Sequence, residues 1–270
     1  MRPPRFTAAR LEGERRRLSE RDHTVLASLD KVRILTLRQL QRLHVADGSP
    51  AARTRRAQLL LTRLHKRGLV VRFARTIGGV RAGSSGYVYG LTGLGQAVIE
   101  TDGPHRRRHI WEAKPYFQDH LLAVAELYVH TVEEHGRGAA ELIGFDAEPV
   151  CWRHFTGPGG ELVVLKPDAY VRLGVGDFEH SRFIEVDMGT EGMPTIQKKS
   201  QRYIDYWRSG MEQQFRGVFP KVVWLVKDTA RGERISQVIR KLSADAQGLF
   251  EVGLLSQATN HLKGTRGAAA

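Results

Sequence analysis

The sequence has little cysteine and no long hydrophobic run, and both absences narrow the class of protein. Cys151 is the single cysteine among 270 residues, so the chain has no disulfide framework and no pair of thiolates for structural zinc. No apolar stretch approaches the roughly 20 residues that span a bilayer. These absences predict a protein of the reducing cytoplasm that has no membrane segment.

Several catalytic motifs are missing as well. The chain has neither the G-x-x-x-x-G-K-[ST] phosphate loop nor the H-E-x-x-H zinc pair. No two histidines have the H-x-H spacing of the metal site in common rolling-circle relaxases. Any nucleic-acid chemistry must therefore depend on another set of residues.

Positive charge is concentrated in the N-terminal part of the chain. The net charge is +13, and the first 110 residues hold 23 Lys and Arg against 8 Asp and Glu. The remaining 160 residues hold 19 basic and 21 acidic side chains. One basic module joined to a near-neutral one is typical of a protein that binds a polyanion, and double-stranded DNA is the predicted partner.

The basic module has the pattern of a winged helix-turn-helix over residues 18–100. Three helix starts are marked by capping residues, namely Ser19, Thr36 and Ser49 followed by Pro50. The third helix carries an apolar stripe at Ala57, Leu60, Leu61 and Leu64. Two β-rich segments, 69–76 and 86–91, then flank a Gly- and Ser-rich stretch, which predicts a hairpin or wing.

Arginines lie where such a fold meets DNA. In helix-turn-helix proteins the second helix of the motif enters the major groove, and here that is the third helix. The predicted DNA contacts are Arg53, Arg55, Arg56 and Arg63 on this helix and Arg72, Arg75 and Arg81 on the wing. Arg53 and Arg56 are the predicted base-edge contacts because they lie early on the helix, off the leucine stripe. A solvated helix face, or a surface for protein contacts, is the alternative.

The order of elements predicts an α/β protein overall, with helices around clustered strands in its second half. The predicted segments are a basic arm 1–17, the winged helix 18–100, a linker 101–110, an α/β domain 111–258 and a disordered tail 259–270.

Three acidic residues suggest a metal site in the α/β domain. Glu185 and Asp187 are two apart on a strand and therefore share a face. A turn centred between Gly176 and Asp177 would place Asp168 opposite Glu185. Three converging carboxylates repel one another unless a cation lies among them, and oxygen ligands suit Mg²⁺ or Mn²⁺.

These residues carry a resemblance. Pro167-Asp168, followed after a hairpin by Glu185-x-Asp187, resembles the P-D…(D/E)-x-K site of restriction-endonuclease-like nucleases. The whole chain resembles the actinobacterial plasmid replication-relaxation family. The matching segments are YGLTGLG at 89–95, HLLAVAELYV at 120–129, LKPDAYVRL at 165–173, FIEVDMGTE at 183–191 and KKSQRYIDYW at 198–207. The resemblance implies a nuclease-like fold and a role in replication or relaxation of plasmid DNA.

One departure from the nuclease motif leaves the function open. Asp187 stands where the motif has lysine, and Lys198 or Lys199 on the following helix is the predicted replacement. A metal-dependent endonuclease or nickase is therefore one hypothesis. The others are a non-catalytic replication initiator or accessory factor, and a transcriptional regulator. A homodimer, or other replication or transfer proteins, are the protein partners compatible with these hypotheses.

Overall fold

The computed structural model describes residues 6–73, 87–100 and 115–264. The chain divides after Val129 into two compact units, Met1–Val129 and His130–Ala270. The division falls inside a helix, Pro115–Gly136. The predicted linker 101–110 lies outside the described residues, so the predicted domain bounds stay a prediction.

The N-terminal unit consists of helices around a small sheet. Its elements are α1 Ala8–Arg16, α2 Glu20–Val32, β1 Ile34–Thr36, α3 Leu37–His44, α4 Pro50–Lys66, β2 Val70–Phe73, β3 Val88–Leu91, α5 Gly93–Ile99 and the first part of α6 Pro115–Gly136. The predicted arm 1–17 thus contains a helix. The predicted wing tip lies between β2 and β3, outside the described residues, and Arg75 and Arg81 lie there with it.

Capping side chains fix where these helices begin. Ser19 and Thr36 form reciprocal capping boxes with Asp22 and Gln39, and Ser49 caps α4, whose first residue is proline. The three starts agree with the sequence prediction. On α4 the buried stripe is Ala57, Leu61 and Leu64, whereas Leu60 is only partly buried.

The three strands of this unit form an antiparallel sheet in the order β1-β3-β2. Gly90 in the central strand pairs with Ile34 on one side and Val71 on the other. Helix α5 is capped by Thr92 and follows β3 directly, and Gly95 in its first turn packs closely against the main-chain oxygen of Leu69.

The C-terminal unit is built on a mixed five-stranded sheet in the order β10-β9-β8-β7-β4. Its elements are β4 Glu141–Ala147, β5 Arg153–Thr156, β6 Leu162–Leu165, β7 Ala169–Val175, β8 Phe178–Asp187, α7 Met193–Arg208, α8 Met211–Arg216, β9 Lys221–Val226, α9 Thr229–Ile239, α10 Ala244–Gln247, β10 Phe250–Leu254 and α11 Ala258–Leu262. Strand β7 is antiparallel to both of its neighbours, β4 and β8, whereas β8, β9 and β10 run parallel to one another. The predicted disordered tail contains α11, and residues 265–270 lie outside the described part.

The core of this unit lies where α7 and α9 cover the sheet. Aromatic side chains dominate it, with Tyr170, Phe183, Tyr203 and Trp224 all at most 1% exposed. Burial of side chains this large is the main favourable contribution to folding of the unit. Within the described residues, no helix combines the length and apolar character needed to cross a membrane.

We predict that Gly95→Ala destabilises the N-terminal unit while Gly93→Ala does not. A methyl group on Gly95 would lie 2.0 Å from the main-chain oxygen of Leu69, whereas one on Gly93 has no neighbour within 4 Å. The clash should lower the free energy of unfolding by at least about 2 kcal/mol, and the Gly93 variant should be neutral or up to about 1 kcal/mol more stable. Urea unfolding followed by circular dichroism measures both, and equal stabilities would contradict the packing described.

Candidate functional site

The β7–β8 hairpin brings Asp168 and Glu185 together. Ala169 pairs with Ile184, so the register continued by one residue places Asp168 opposite Glu185. The main-chain nitrogen of Asp168 donates to the carbonyl of Ile184 at 3.0 Å, which extends the pairing to that position. The turn uses Gly176 with φ of +57°, a conformation that glycine adopts at little cost. The predicted hairpin centre is therefore the observed one.

Glu185 is a buried carboxylate held by two side chains of α7. It is 2% exposed, and it accepts hydrogen bonds from the Tyr203 hydroxyl at 2.7 Å and from Lys199 Nζ at 3.2 Å. Lys199 and Tyr203 are four residues apart and lie on one face of the helix. The helix that covers the sheet therefore supplies both partners of Glu185.

Asp168 lies at the edge of this arrangement and is half-buried. Its Oδ2 accepts a hydrogen bond of 2.7 Å from the main-chain nitrogen of Val186, which fixes the carboxylate against the neighbouring strand. Since the charge of Asp168 acts on both Glu185 and Lys199, these three groups form one electrostatic cluster. We call it the Asp168–Glu185–Lys199 cluster.

Asp187 forms an ion pair with Arg231. Both of its oxygens accept from Arg231 of α9, Oδ1 from Nε at 3.0 Å and Oδ2 from Nη2 at 2.6 Å. Oδ1 also accepts from the main-chain nitrogen of Gly189 at 2.6 Å. The side chains of Asp187 and Arg231 are 1% and 7% exposed. A bidentate buried pair of this kind neutralises Asp187, which leaves it poorly suited to bind a cation.

The three acids that were predicted to converge thus have different partners in the structure. Within residues 6–73, 87–100 and 115–264, no group of three or more His, Cys, Asp or Glu side chains could hold a metal ion. Asp187 pairs with Arg231 instead of facing the other two acids, because sharing a strand face does not decide which partner a carboxylate takes; a metal at these residues stays a prediction. Asp168 and Glu185 remain as neighbours.

The two candidate lysines have different surroundings. Lys199 bonds Glu185 and also lies 2.9 Å from Glu191, and its ammonium stands over the ring of Trp224 at 5.9 Å. Lys198 is exposed. The structure therefore places Lys199, and not Lys198, beside Glu185 and Glu191.

Burial and mutual charge shift the proton equilibria of the cluster. Burial, with the negative charge of Asp168, raises the pKa of Glu185 to about 7, although Lys199 and Tyr203 oppose the shift. Burial lowers the pKa of Lys199, but the charges of Glu185 and Asp168 outweigh it and raise that pKa above its usual value. Burial and Glu185 raise the pKa of Tyr203, so this tyrosine is a hydrogen-bond donor rather than a nucleophile.

Of the predicted DNA-contacting arginines that the structure describes, two bond to other groups of the N-terminal unit, and the remaining three are exposed. Arg63 pairs with buried Asp22, and Arg53 reaches the carbonyl of Ala46 at 3.5 Å. Arg55 and Arg56 are exposed on α4. Arg72 is exposed on β2, where its guanidinium stacks over the Tyr87 ring at 4.1 Å.

Sequence reasoning missed three parts of the site. Arg231 as the partner of Asp187 had no local signal because it lies 44 residues downstream. The hydrogen bond from Tyr203 to Glu185 was signalled only by the four-residue spacing of Tyr203 from Lys199. The contact of Glu191 with Lys199 was not predicted either.

The described chain is therefore a mixed α/β protein with an acid–lysine cluster where β7 begins and β8 ends in its larger sheet. It belongs to the replication-relaxation family, since the model of that family matches residues 26–222. No curated protein and no solved structure is significantly similar to it.

We predict that Glu185→Gln changes how stability depends on pH. Because the folded pKa of Glu185 is raised, its native state holds the proton longer than the unfolded chain does. The contribution of Glu185 to the free energy of unfolding of the wild-type protein should therefore fall as pH rises from about 5 to 8, by up to about 1.4 kcal/mol per pH unit. Glu185→Gln should remove that slope, which urea unfolding of the C-terminal unit followed by tryptophan fluorescence measures.

Glu179→Gln is the matched control for this measurement. Arg172 lowers the pKa of Glu179, so that carboxylate loses its stabilising charge only as pH falls. Its replacement should leave the pH dependence above pH 5 as in the wild type. A Glu185→Gln profile parallel to the wild-type profile would contradict the assigned environment of Glu185.

Proposed function

We propose that this protein binds double-stranded DNA of a plasmid or integrative element through its N-terminal unit and acts in replication or relaxation of that DNA. Membership of the replication-relaxation family supports the setting. The observation that carries the DNA-binding part is the excess of 15 positive charges within the first 110 residues. Neutralised phosphates release counterions, so such a module gains affinity from the DNA backbone alone.

The arrangement of the N-terminal unit supports a winged helix. Helices α2, α3 and α4 surround the β1-β3-β2 sheet, and β2 and β3 are the strands of the wing. In such folds the helix corresponding to α4 enters the major groove. Arg55 and Arg56 are exposed on it, whereas Arg63 is engaged with Asp22. We therefore assign the principal helix contacts to Arg55 and Arg56.

We predict that Arg55→Ala and Arg56→Ala each weaken binding of the full chain to duplex DNA. Loss of one phosphate contact should reduce the slope of log affinity against log salt by about 1. If Arg56 instead pairs with guanine, its loss should cost about 1–3 kcal/mol on a preferred site and less on random DNA. Fluorescence anisotropy over a salt series measures these quantities.

Arg234→Ala is the matched control because Arg234 is an exposed arginine on α9 of the other unit. It should leave both affinity and salt slope unchanged. If Arg234→Ala weakens binding as much as the α4 substitutions do, the DNA does not lie along α4.

The geometry of the C-terminal unit favours a second activity, cleavage or nicking of DNA. In this unit the antiparallel strands β4, β7 and β8 are followed by α7 and then by β9, which pairs parallel with β8. The specific observation is that Lys199 lies 3.2 Å from Glu185, which faces Asp168 across the hairpin. An Asp–Glu–Lys set is the chemistry of the P-D…(D/E)-x-K site, with the lysine supplied by α7 instead of β8.

A divalent cation fits this cluster only through two carboxylates. Asp168 and Glu185 would hold it, and Asp187 would not, because Arg231 takes both of its oxygens. Mg²⁺ is commonly bound in proteins by one or two carboxylates together with waters and substrate phosphates. Bound Mg²⁺ or Mn²⁺ polarises a phosphoryl oxygen and acidifies water. Lys199 adds a fixed positive charge where negative charge develops on the phosphate.

We predict that the wild-type chain nicks supercoiled plasmid in Mg²⁺ or Mn²⁺ and that Asp168→Asn and Lys199→Met abolish nicking. Neither change should weaken duplex binding, since both residues lie in the C-terminal unit. Lys198→Met is the matched control, because the neighbouring lysine is exposed and should be dispensable. Agarose gels of the plasmid forms measure the activity.

Nicking that persists in Asp168→Asn would exclude this cluster as its source. Absence of nicking by the wild type across supercoiled, linear and single-stranded DNA would leave the protein as a non-catalytic DNA-binding factor. In that case the C-terminal unit would serve as a docking platform.

A further inference from the structure

The buried pair Asp187–Arg231 has a third partner that an ordinary ion pair does not need. Nη2 of Arg231 donates to Oδ2 of Asp187 and also, at 2.6 Å, to the main-chain oxygen of Glu191. Asp187 in turn accepts from the main-chain nitrogen of Gly189 at 2.6 Å. The pair therefore fixes the connection between β8 and α7 at two points.

That connection carries Glu191, which contacts the Asp168–Glu185–Lys199 cluster. Glu191 lies 2.9 Å from Lys199 Nζ through its Oε1, and Lys199 donates at the same time to Glu185. The ammonium group is thus held between two carboxylates, one on the sheet and one on the segment that Arg231 fixes. The position of Glu191 therefore decides whether Lys199 contacts this second carboxylate.

We propose that Asp187 and Arg231 are positioning residues, which fix Glu191 so that it holds Lys199 beside Glu185 and Asp168. This inference deepens the proposed cleavage activity and rests on it for the catalytic meaning of Lys199. The geometric part, that the pair determines where the Lys199 ammonium lies, stands on the contacts alone. In this view Asp187 occupies the strand position where the nuclease motif has lysine, and it helps to position the lysine that α7 supplies.

Two physical arguments favour positioning over simple stabilisation. A buried ion pair contributes little net stability compared with apolar side chains of similar volume, and Asp187 stands beside Val226 in an apolar strand neighbourhood. Arginine, unlike lysine, presents several N–H donors in a rigid fork, so it can bind both carboxylate oxygens and a carbonyl together. All three acceptors are occupied here.

The inference is tested by acetylation of the full chain with an amine-reactive ester, followed by mass spectrometry of Lys198 and Lys199. The neighbouring lysines provide an internal comparison, because Lys198 is exposed and Lys199 is held. In the wild type Lys199 should react several-fold more slowly than Lys198. In Asp187→Asn the rate at Lys199 should rise about fivefold, as expected for loss of one hydrogen bond, while the rate at Lys198 stays the same.

Two further variants keep the test decisive if Asp187→Asn does not fold. Glu191→Gln removes the charge that contacts Lys199 and should reproduce the increase at Lys199. Arg231→Lys keeps the charge but not the fork and should give a smaller increase. An unchanged Lys199 rate in the folded variants would overturn the inference, as would an equal rise at Lys198, which indicates general loosening of the unit.

Kinetics separate this inference from the proposed activity. If the wild type nicks DNA, Asp187→Asn should lower kcat with little change in KM, because DNA affinity resides in the other unit. A rise in KM alone would contradict a positioning role. If the wild type does not nick DNA, the cleavage proposal fails, and the acetylation rates still decide whether the pair positions Lys199.

Discussion

Burial of the Glu185 carboxylate is the constraint on which the C-terminal unit depends. A charged carboxylate removed from water is destabilising unless hydrogen bonds and opposite charge surround it. Glu185 obtains these from Tyr203 and Lys199, both on α7, so the helix must lie over the sheet in one register. The aromatic core beneath α7 fixes the same register through Tyr203 against Phe183. Packing and electrostatics therefore specify one arrangement.

The same constraint explains why the acids of this chain divide into two sets. Asp168 faces Glu185 across the hairpin, and its negative charge raises the pKa of Glu185 further. Asp187 is neutralised by Arg231 and has become part of the framework. Asp168, Glu185 and Asp187 thus differ in their partners, and the lysine beside Glu185 comes from α7.

Local features of this fold could be predicted from sequence, and distant pairings could not. Ser19, Thr36 and Ser49 marked helix starts because a capping side chain bonds a backbone group three residues away. The hairpin register followed from its turn, since antiparallel pairing is symmetric about the turn. Arg63–Asp22 and Arg231–Asp187 join residues more than 40 positions apart, and no local periodicity records such a choice.

Manganese binding followed by electron paramagnetic resonance tests most directly whether Asp168 and Glu185 form a cation site. If one cation binds at Asp168 and Glu185 and none binds at Asp187, the full chain should bind one Mn²⁺ and Asp168→Asn should abolish that binding. Asp187→Asn, once shown to be folded, should retain that site. Retention of Mn²⁺ in Asp168→Asn, or loss of it in folded Asp187→Asn, would contradict the account.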